Sequence, residues 1–376
     1  MQTSPFQVLD RDAASCGRRG IIATPHAQIE TPCFLPVGTR GAVKGVAFDL
    51  LEAWDCRAVL ANAYHLMARP GLELIERAGG LHAFIGWPRA ILTDSGGFQV
   101  MSLASRRRIT EEGVEFRNPE DGAAHFLTPE RAMELQMGFG VDIGMALDIC
   151  PPFSAERSEV AEACRLTLAW ARRSKAADRG PGLLFGVVQG GTHEDLRRES
   201  AAALSDVDLA GYAVGGVAVG ESKDAIRAVT ALTASLLPDG KPRYLMGVGT
   251  PADILASVRA GIDLFDCVLP TRNGRMGHVY TRAGEVVIKH ERFKNDLLPL
   301  DPSCACPVCS RHSRAYLRHL FVLKDFSAPM LLSIHNVFFY LDWMRTIREA
   351  ISAGTLDRLE APPETKLADP GPQGLV

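Results

Sequence analysis

The sequence of 376 residues has no apolar run approaching the ~18 residues needed to cross a bilayer, so a membrane-spanning helix is excluded. Its opening stretch, MQTSPFQVLDRDAASCGRRG, lacks an apolar h-region, and no secretory signal peptide is expected. It lacks an excess of charge of either sign: 41 Lys and Arg stand against 44 Asp and Glu, a net charge of −3. No global basic field is therefore available for nucleic acid, and any RNA contact must come from local patches. It lacks the cysteine pattern of a disulfide scaffold, because only Cys304, Cys306 and Cys309 of its nine cysteines cluster while the rest are scattered singly. Such usage suits a reducing compartment and one metal site, and the expected location is the cytoplasm. Otherwise the composition, 47% hydrophobic and 23% charged, is that of an ordinary globular chain long enough to bury a full core.

Short apolar runs that end in polar or glycine-rich turns recur along the chain. Residues 58–64 (AVLANAY) precede His65, 90–93 (AILT) end at Asp94, and 143–147 (IGMAL) end at Asp148. Residues 183–188 (LLFGVV) lead to Gln189, 212–214 (YAV) to Gly215–Gly216, 243–246 (RYLM) to Gly247, and 262–265 (IDLF) to Asp266. Amphipathic stretches at 128–139, 156–177 and 250–260 lie between them, two of which begin with Thr-Pro as N-cap and first helical residue. Buried strands alternating with helices predict a parallel sheet. Because no GxGxxG turn opens the pattern, the predicted fold is α/β, a (β/α)8 TIM barrel with an inserted C-terminal zinc-binding subdomain. Segment 20–37 reads as a β-hairpin ahead of the barrel, and 277–290 as a second hairpin turning at Ala283–Gly284. The expected division is a catalytic barrel with its hairpin over 1–290, a zinc-binding subdomain with terminal helices closing the barrel over 291–354, and a disordered tail over 355–376.

Cys304-Ala-Cys306-Pro-Val-Cys309 places three thiols in one tight loop. Tetrahedral closure needs a fourth ligand, for which His335 is favoured because it opens the apolar helical run NVFFYLDWM that could pack over the loop. His312 and His319, inside a basic helical stretch, are the alternatives. Three thiolates and one imidazole leave no position open for water, so the Zn2+ predicted here, one per chain, is structural.

Asp94, Asp148 and Asp266 each end a predicted barrel strand, the rim where barrel enzymes carry their reactive groups. Any one of them could be no more than a turn residue; Asp94 before Ser95-Gly96-Gly97 could simply form an Asx turn. Three on one rim point to chemistry. A pair of carboxylates can perform double displacement at a glycosidic carbon, one attacking and the other shuttling protons. From the residues alone, sugar and nucleoside substrates stay equally open.

The motifs Asp94-Ser95-Gly96-Gly97-Phe98-Gln99, Phe185-Gly186-Val187-Val188-Gln189-Gly190-Gly191, Gly215-Gly216-Val217-Ala218-Val219-Gly220-Glu221 and Asp266-Cys267-Val268-Leu269-Pro270-Thr271-Arg272-Asn273-Gly274-Arg275 resemble those of the tRNA-guanine transglycosylases, in that family's order. The resemblance runs from about residue 6 to 350, and the Cys304, Cys306, Cys309, His335 spacing matches the family's zinc site. It implies exchange of guanine at wobble position 34 of tRNAs with GUN anticodons for a 7-deazaguanine, preQ1 or alternatively queuine, in queuosine biosynthesis. By this resemblance Asp266 is the nucleophile and Asp94 the general acid/base. Ser95, Gly96, Gly97, Phe98, Asp148, Gln189, Gly216, Val217 and Met246 line the base pocket, Phe98 and Met246 sandwiching the ring. Gly247, Val248, Gly249, Thr250, Pro251, Ala252 and Asp253, with Thr271, Arg272, Asn273, Gly274 and Arg275, contact RNA. Arg311, Arg314, Arg318 and Lys324 form a further candidate phosphate face. Family members work as homodimers.

Three positions depart from the bacterial pattern: Phe98 stands in place of tyrosine, Ile149 in place of glutamate, and Val217 in place of leucine. Ile149 removes a carboxylate beside the pocket, which predicts an altered preference among deazaguanines. Two other functions are compatible with a carboxylate barrel. A retaining glycoside hydrolase would need aromatic sugar platforms, sparse with four Trp and six Tyr, and would leave the thiol loop unexplained. A noncatalytic RNA-binding subunit would have no need of both Asp94 and Asp266.

Overall fold

The computed structural model describes residues 4–97, 107–117 and 122–364, which fall into two compact units. The first runs to Val268 and takes in Met344–Leu359; the second comprises Leu269–Trp343 and the segment from Glu360. Among the described residues no helix is long and apolar enough to cross a membrane.

The first unit opens with an antiparallel sheet of β1 (Phe6–Arg11), β2 (Arg18–Ala23) and β3 (Gln28–Thr31). The chain then enters an eight-stranded parallel sheet: β4 (Cys33–Pro36), β5 (Ala58–Ala61), β6 (Ala90–Thr93) and, after an excursion, further strands. That excursion is a three-stranded antiparallel sheet of β7 (Arg107–Ile109), β8 (Val114–Arg117) and β9 (Ala124–Leu127). The parallel sheet resumes with β10 (Ile143–Met145), β11 (Leu183–Val188), β12 (Gly211–Val214), β13 (Arg243–Leu245) and β14 (Leu264–Cys267). Its spatial order is β4-β14-β13-β12-β11-β10-β6-β5, and a parallel bridge between Val37 and Leu60 joins the two ends into a barrel.

The predicted (β/α)8 barrel is thus present, with two differences from the sequence reading. Segment 20–37 is more than a hairpin: Pro32 separates β3 from β4, and Cys33–Pro36 is itself a barrel strand paired in parallel with β14. The run 58–64 is strand only to Ala61, because the Asn62 side chain accepts the His65 N–H and so caps the helix Ala63–Ala68. The helices at Pro129–Phe139, Arg157–Ala177 and Pro251–Arg259 lie where their caps place them, with Thr128 and Thr250 accepting N–H groups of the first turn.

Strand geometry explains how core and rim share one register. Side chains two apart lie on one face of a strand, and Leu92, Val187, Tyr244 and Leu264 all belong to the core cluster inside the barrel. The next residues on the same faces are Asp94, Gln189, Met246 and Asp266. Phe6, Ile22 and Ile29 from the opening sheet join the same cluster. On the outer face, Leu184, Val188 and Tyr212 pack against Ala171, Ala201 and Leu204 of the surrounding helices.

In the second unit β15 (His278–Thr281) and β16 (Gly284–Val287) form the second expected hairpin, its two-residue turn at Arg282–Ala283, one residue earlier than the sequence suggested. The helices Leu269–Arg275, Arg314–Val322 and the first part of Ser327–Ser352 complete it. The end of that last helix belongs to the first unit, where Arg348 donates to the Pro32 carbonyl at 2.9 Å. Leu356 is buried in the same unit, its carbonyl held by Arg259 at 2.7 Å. Residues 365–376 of the expected tail lie outside the described residues.

Candidate active site

The three carboxylates gather at the C-terminal ends of the barrel strands. Asp94 directly follows β6 and is buried. Its Oδ1 accepts the N–H groups of Ala63 at 3.0 Å and Gly96 at 3.2 Å, while Oδ2 accepts from the Asn62 amide. The Gly96 bond is the Asx turn anticipated above, so a turn role and a chemical role coexist in one side chain. Burial raises the Asp94 pKa to about 7 against the pull of those backbone N–H groups, and the Asp266 and Asp148 charges push it the same way. Asp94 can therefore hold a proton near neutrality.

Asp266 lies within β14, its side chain part-exposed. Both of its hydrogen bonds fall on one oxygen: Oδ1 accepts from the Tyr244 hydroxyl at 2.6 Å and the Gly247 N–H at 2.9 Å. Burial raises its pKa, outweighing the opposing pull of these two donors. Tyr244 is fully buried and held far from ionisation by burial and by the Asp266 charge, so its hydroxyl remains a donor.

Asp148 accepts from Gln189 Nε2 at 2.8 Å and Ser95 Oγ at 3.3 Å, and burial raises its pKa to about 6 against those bonds. The Gln189 Oε1 is buried with no partner among the described residues, an acceptor left for a ligand N–H. Gly216 has φ +64°, and a Cβ on it would lie 2.4 Å from that oxygen, so only glycine permits this approach. Glu221 accepts the N–H groups of Ala218 at 2.6 Å and Val219 at 2.9 Å. The Ala218 bond turns the Val217 carbonyl, on the other side of the same trans peptide, away from that carboxylate. Ile149 is buried and donates its N–H to Thr167 at 3.0 Å.

Of the predicted pocket residues, Ser95, Gly97, Asp148, Gln189 and Gly216 are joined by these contacts, and Met246 lies half-buried against the barrel core. Phe98 lies outside the described residues. Sequence reasoning missed Tyr244 and Asn62. The signal for Tyr244 was its position two residues before Met246 on one inward-facing strand; for Asn62 it was the helix cap following a strand.

The predicted RNA-contacting residues divide by exposure. Gly247 is exposed and Thr250 and Ala252 half-buried, whereas Val248, Gly249, Pro251 and Asp253 are buried. Asp253 is committed to Arg227 at 2.8 Å and to the Thr250 cap. In the second unit Arg275 is exposed and Arg272 half-buried, while Thr271 and Gly274 are buried; Asn273 donates to the Tyr280 hydroxyl at 2.6 Å. Burial and the neighbouring Arg272 charge both lower the Arg275 pKa, so the two cations repel and would gain from an anion. Arg314 and Arg318 are tied to Asp296 and Glu291, which leaves Arg311 and Lys324 as the exposed members of that face.

The thiol loop also lies in the second unit. Cys304, Cys306 and Cys309 place their sulfurs 3.7, 3.4 and 3.2 Å from His335 Nδ1. A tetrahedral ion with bonds of about 2.3 Å to sulfur and about 2.05 Å to nitrogen requires ligand separations near ~3.6 Å, so the four fit a metal ion. His335 Nε2 donates to the Tyr280 carbonyl at 2.8 Å, which leaves Nδ1 as the lone-pair nitrogen facing the sulfurs. Of the three histidines weighed, His335 is the one in the cluster.

Comparison with known proteins identifies the family. Residues 12–364 match the family model described as queuine tRNA-ribosyltransferase. The chain is 50% identical to a queuine tRNA-ribosyltransferase of Caldanaerobacter subterraneus over 93% of its own length and 94% of the relative's. It is 50% identical to one from Cereibacter sphaeroides over 92% of each chain. A third, from Acidithiobacillus ferrooxidans, is 49% identical over 94% of this chain and 95% of the relative. The chain belongs to the queuine tRNA-ribosyltransferase family.

Proposed function

We propose that this protein is a tRNA-guanine transglycosylase that replaces guanine at wobble position 34 of GUN-anticodon tRNAs (those for Asp, Asn, His and Tyr) with the 7-deazaguanine preQ1. The observation that carries this reading is the contrast between two carboxylates on one rim. Asp94 has a pKa of about 7, whereas Asp266 is anchored, among the described residues, through Oδ1 and keeps Oδ2 for attack.

In the first displacement Asp266 Oδ2 bonds to ribose C1′ as the bond from C1′ to guanine N9 breaks, and the departing base takes the Asp94 proton. In the second, preQ1 gives its N9 proton to Asp94 and attacks C1′, expelling the Asp266 carboxylate. Each Asp then regains its starting state, and no water is consumed. Asp148 accepts from the purine N1–H and exocyclic amine, and the buried Gln189 oxygen offers a further acceptor at that pocket. The Val217 carbonyl supplies an acceptor of the kind an aminomethyl cation needs, and the carboxylate missing at Ile149 alters the preference between preQ1 and queuine.

Arg272 and Arg275 bind tRNA phosphate. The Cys304, Cys306, Cys309 and His335 site holds one structural Zn2+ that braces the unit around it. The working form is a homodimer in the cytoplasm. Exchange assays with guanine-labelled GUN tRNA test the function: preQ1-dependent release of guanine is expected. Absence of release with preQ1, queuine and guanine alike would overturn it.

A further inference from the structure

Arg197, in the first turn of the helix Glu194–Ser205, has no exposed surface. It makes no ion pair with any carboxylate among the described residues, unlike Arg18, which is equally buried and pairs with Asp263 at 2.7 Å. All three of its side-chain bonds go to backbone carbonyls: Nη1 to Val188 at 2.9 Å, Nε to Gly191 at 2.9 Å and Nη2 to Gly216 at 3.3 Å. A buried cation at the positive end of a helix is costly, and a hydrocarbon of similar volume would fill the space without that cost. The placement therefore makes sense by what the guanidinium fork joins.

The three carbonyls belong to the last residue of β11 and to the two loops that leave β11 and β12. Val188 and Gly191 bracket Gln189, and Gly216 presses against the Gln189 amide. Gly190, between them, has φ +141°, and a Cβ there would lie 2.9 Å from the Arg197 backbone nitrogen, so the loop is drawn tightly onto the arginine.

We propose that Arg197 is a positioning residue that clamps the Val188–Gly191 and Gly215–Gly216 loops together, fixing Gln189 against Gly216 and thereby the geometry in which the pocket reads its base. The clamp bears on base recognition only if the transglycosylase reading above holds. Arg197→Lys can satisfy one carbonyl at a time, and Arg197→Gln supplies donors without charge.

Two measurements separate the claims. Hydrogen exchange of the folded full-length protein is expected to show faster uptake in residues 188–191 and 215–217 of Arg197→Lys, with the remaining barrel strands unchanged. Steady-state exchange should show KM for preQ1 raised at least about tenfold with KM for tRNA within about twofold. If Arg197→Gln does not fold, the lysine variant carries the test. Unchanged uptake in both loops, or KM values for base and tRNA rising together, would overturn the clamp. A wild-type protein that exchanges no base would instead overturn the transglycosylase reading, and loop uptake would still decide the clamp.

Discussion

Tyr244 and Asp266 sit on adjacent barrel strands, and the Tyr244 hydroxyl donates to Asp266 Oδ1 at 2.6 Å. With the Gly247 N–H on the same atom, one carboxylate oxygen is fixed, and the other has no donor among the described residues. Removing the phenolic oxygen leaves the ring packing in place and deletes one charge-assisted hydrogen bond of about 1.5–3 kcal/mol. Tyr244→Phe is therefore predicted to slow formation of the ribosyl-enzyme about 10- to 100-fold in single-turnover assays. A wild-type rate would show that Tyr244 does not orient Asp266.

Asp94 gives a pH prediction with a definite sign. Burial raises its pKa from 3.8 to about 7. A carboxyl whose folded pKa is raised favours the folded state at low pH, and that contribution is lost as pH rises through about 7. The stability of the wild type relative to Asp94→Asn, which is neutral at every pH, is predicted to fall as pH rises through about 7, while the variant loses turnover. In the wild type, guanine release under single-turnover conditions should fall as pH rises through the same range. Urea titrations at acid and alkaline pH check the first half, and a pH–rate profile the second.

Asp142 shows the opposite shift at a place remote from the chemistry. Burial pushes its pKa up, but hydrogen bonds from the His82 ring, the Ile91 N–H, and the His26 N–H and ring together pull it below 3.8. The two rings stack on each other with centroids 3.8 Å apart. The stability this carboxylate contributes is present above pH ~4 and is lost as pH falls through its lowered folded value. Asp142→Asn turns an amide toward donors and should cost about 2–4 kcal/mol in urea titrations at neutral pH. The activity of the remaining folded protein should be unchanged.

Metal content is predicted at one Zn2+ per chain by elemental mass spectrometry. Cys306→Ser, or prolonged chelation, should release it and lower the thermal midpoint. Retention of stoichiometric zinc in Cys306→Ser would show that the four ligands are not those identified.

Much of this was legible in the sequence because strand register continues past the core. Leu92, Val187 and Leu264 identify the inward face, and counting on by two reaches Asp94, Gln189 and Asp266. The thiol spacing gave the metal loop, and the apolar run after His335 selected the fourth ligand. The strand Cys33–Pro36 was hidden because it follows a hairpin strand after only Pro32, with no helix to mark the boundary. The β7–β9 sheet was hidden because its strands are short and partly exposed, Arg107–Ile109 burying little. Tyr244 and Arg197 were invisible as functional groups for a different reason. Their partners, a carboxylate on the next strand and three carbonyls on two loops, meet only once the barrel closes.

The most direct test of the central claim is capture of the ribosyl-enzyme. The protein would be incubated with GUN-anticodon tRNA and a 7-deazaguanine and resolved on a denaturing gel, followed by mapping of the modified peptide. A covalent protein–RNA band attached at Asp266, absent in Asp266→Ala and formed much more slowly in Asp94→Ala, is predicted. A band that persists in Asp266→Ala, or base exchange by the wild type with no attachment to Asp266, would contradict it.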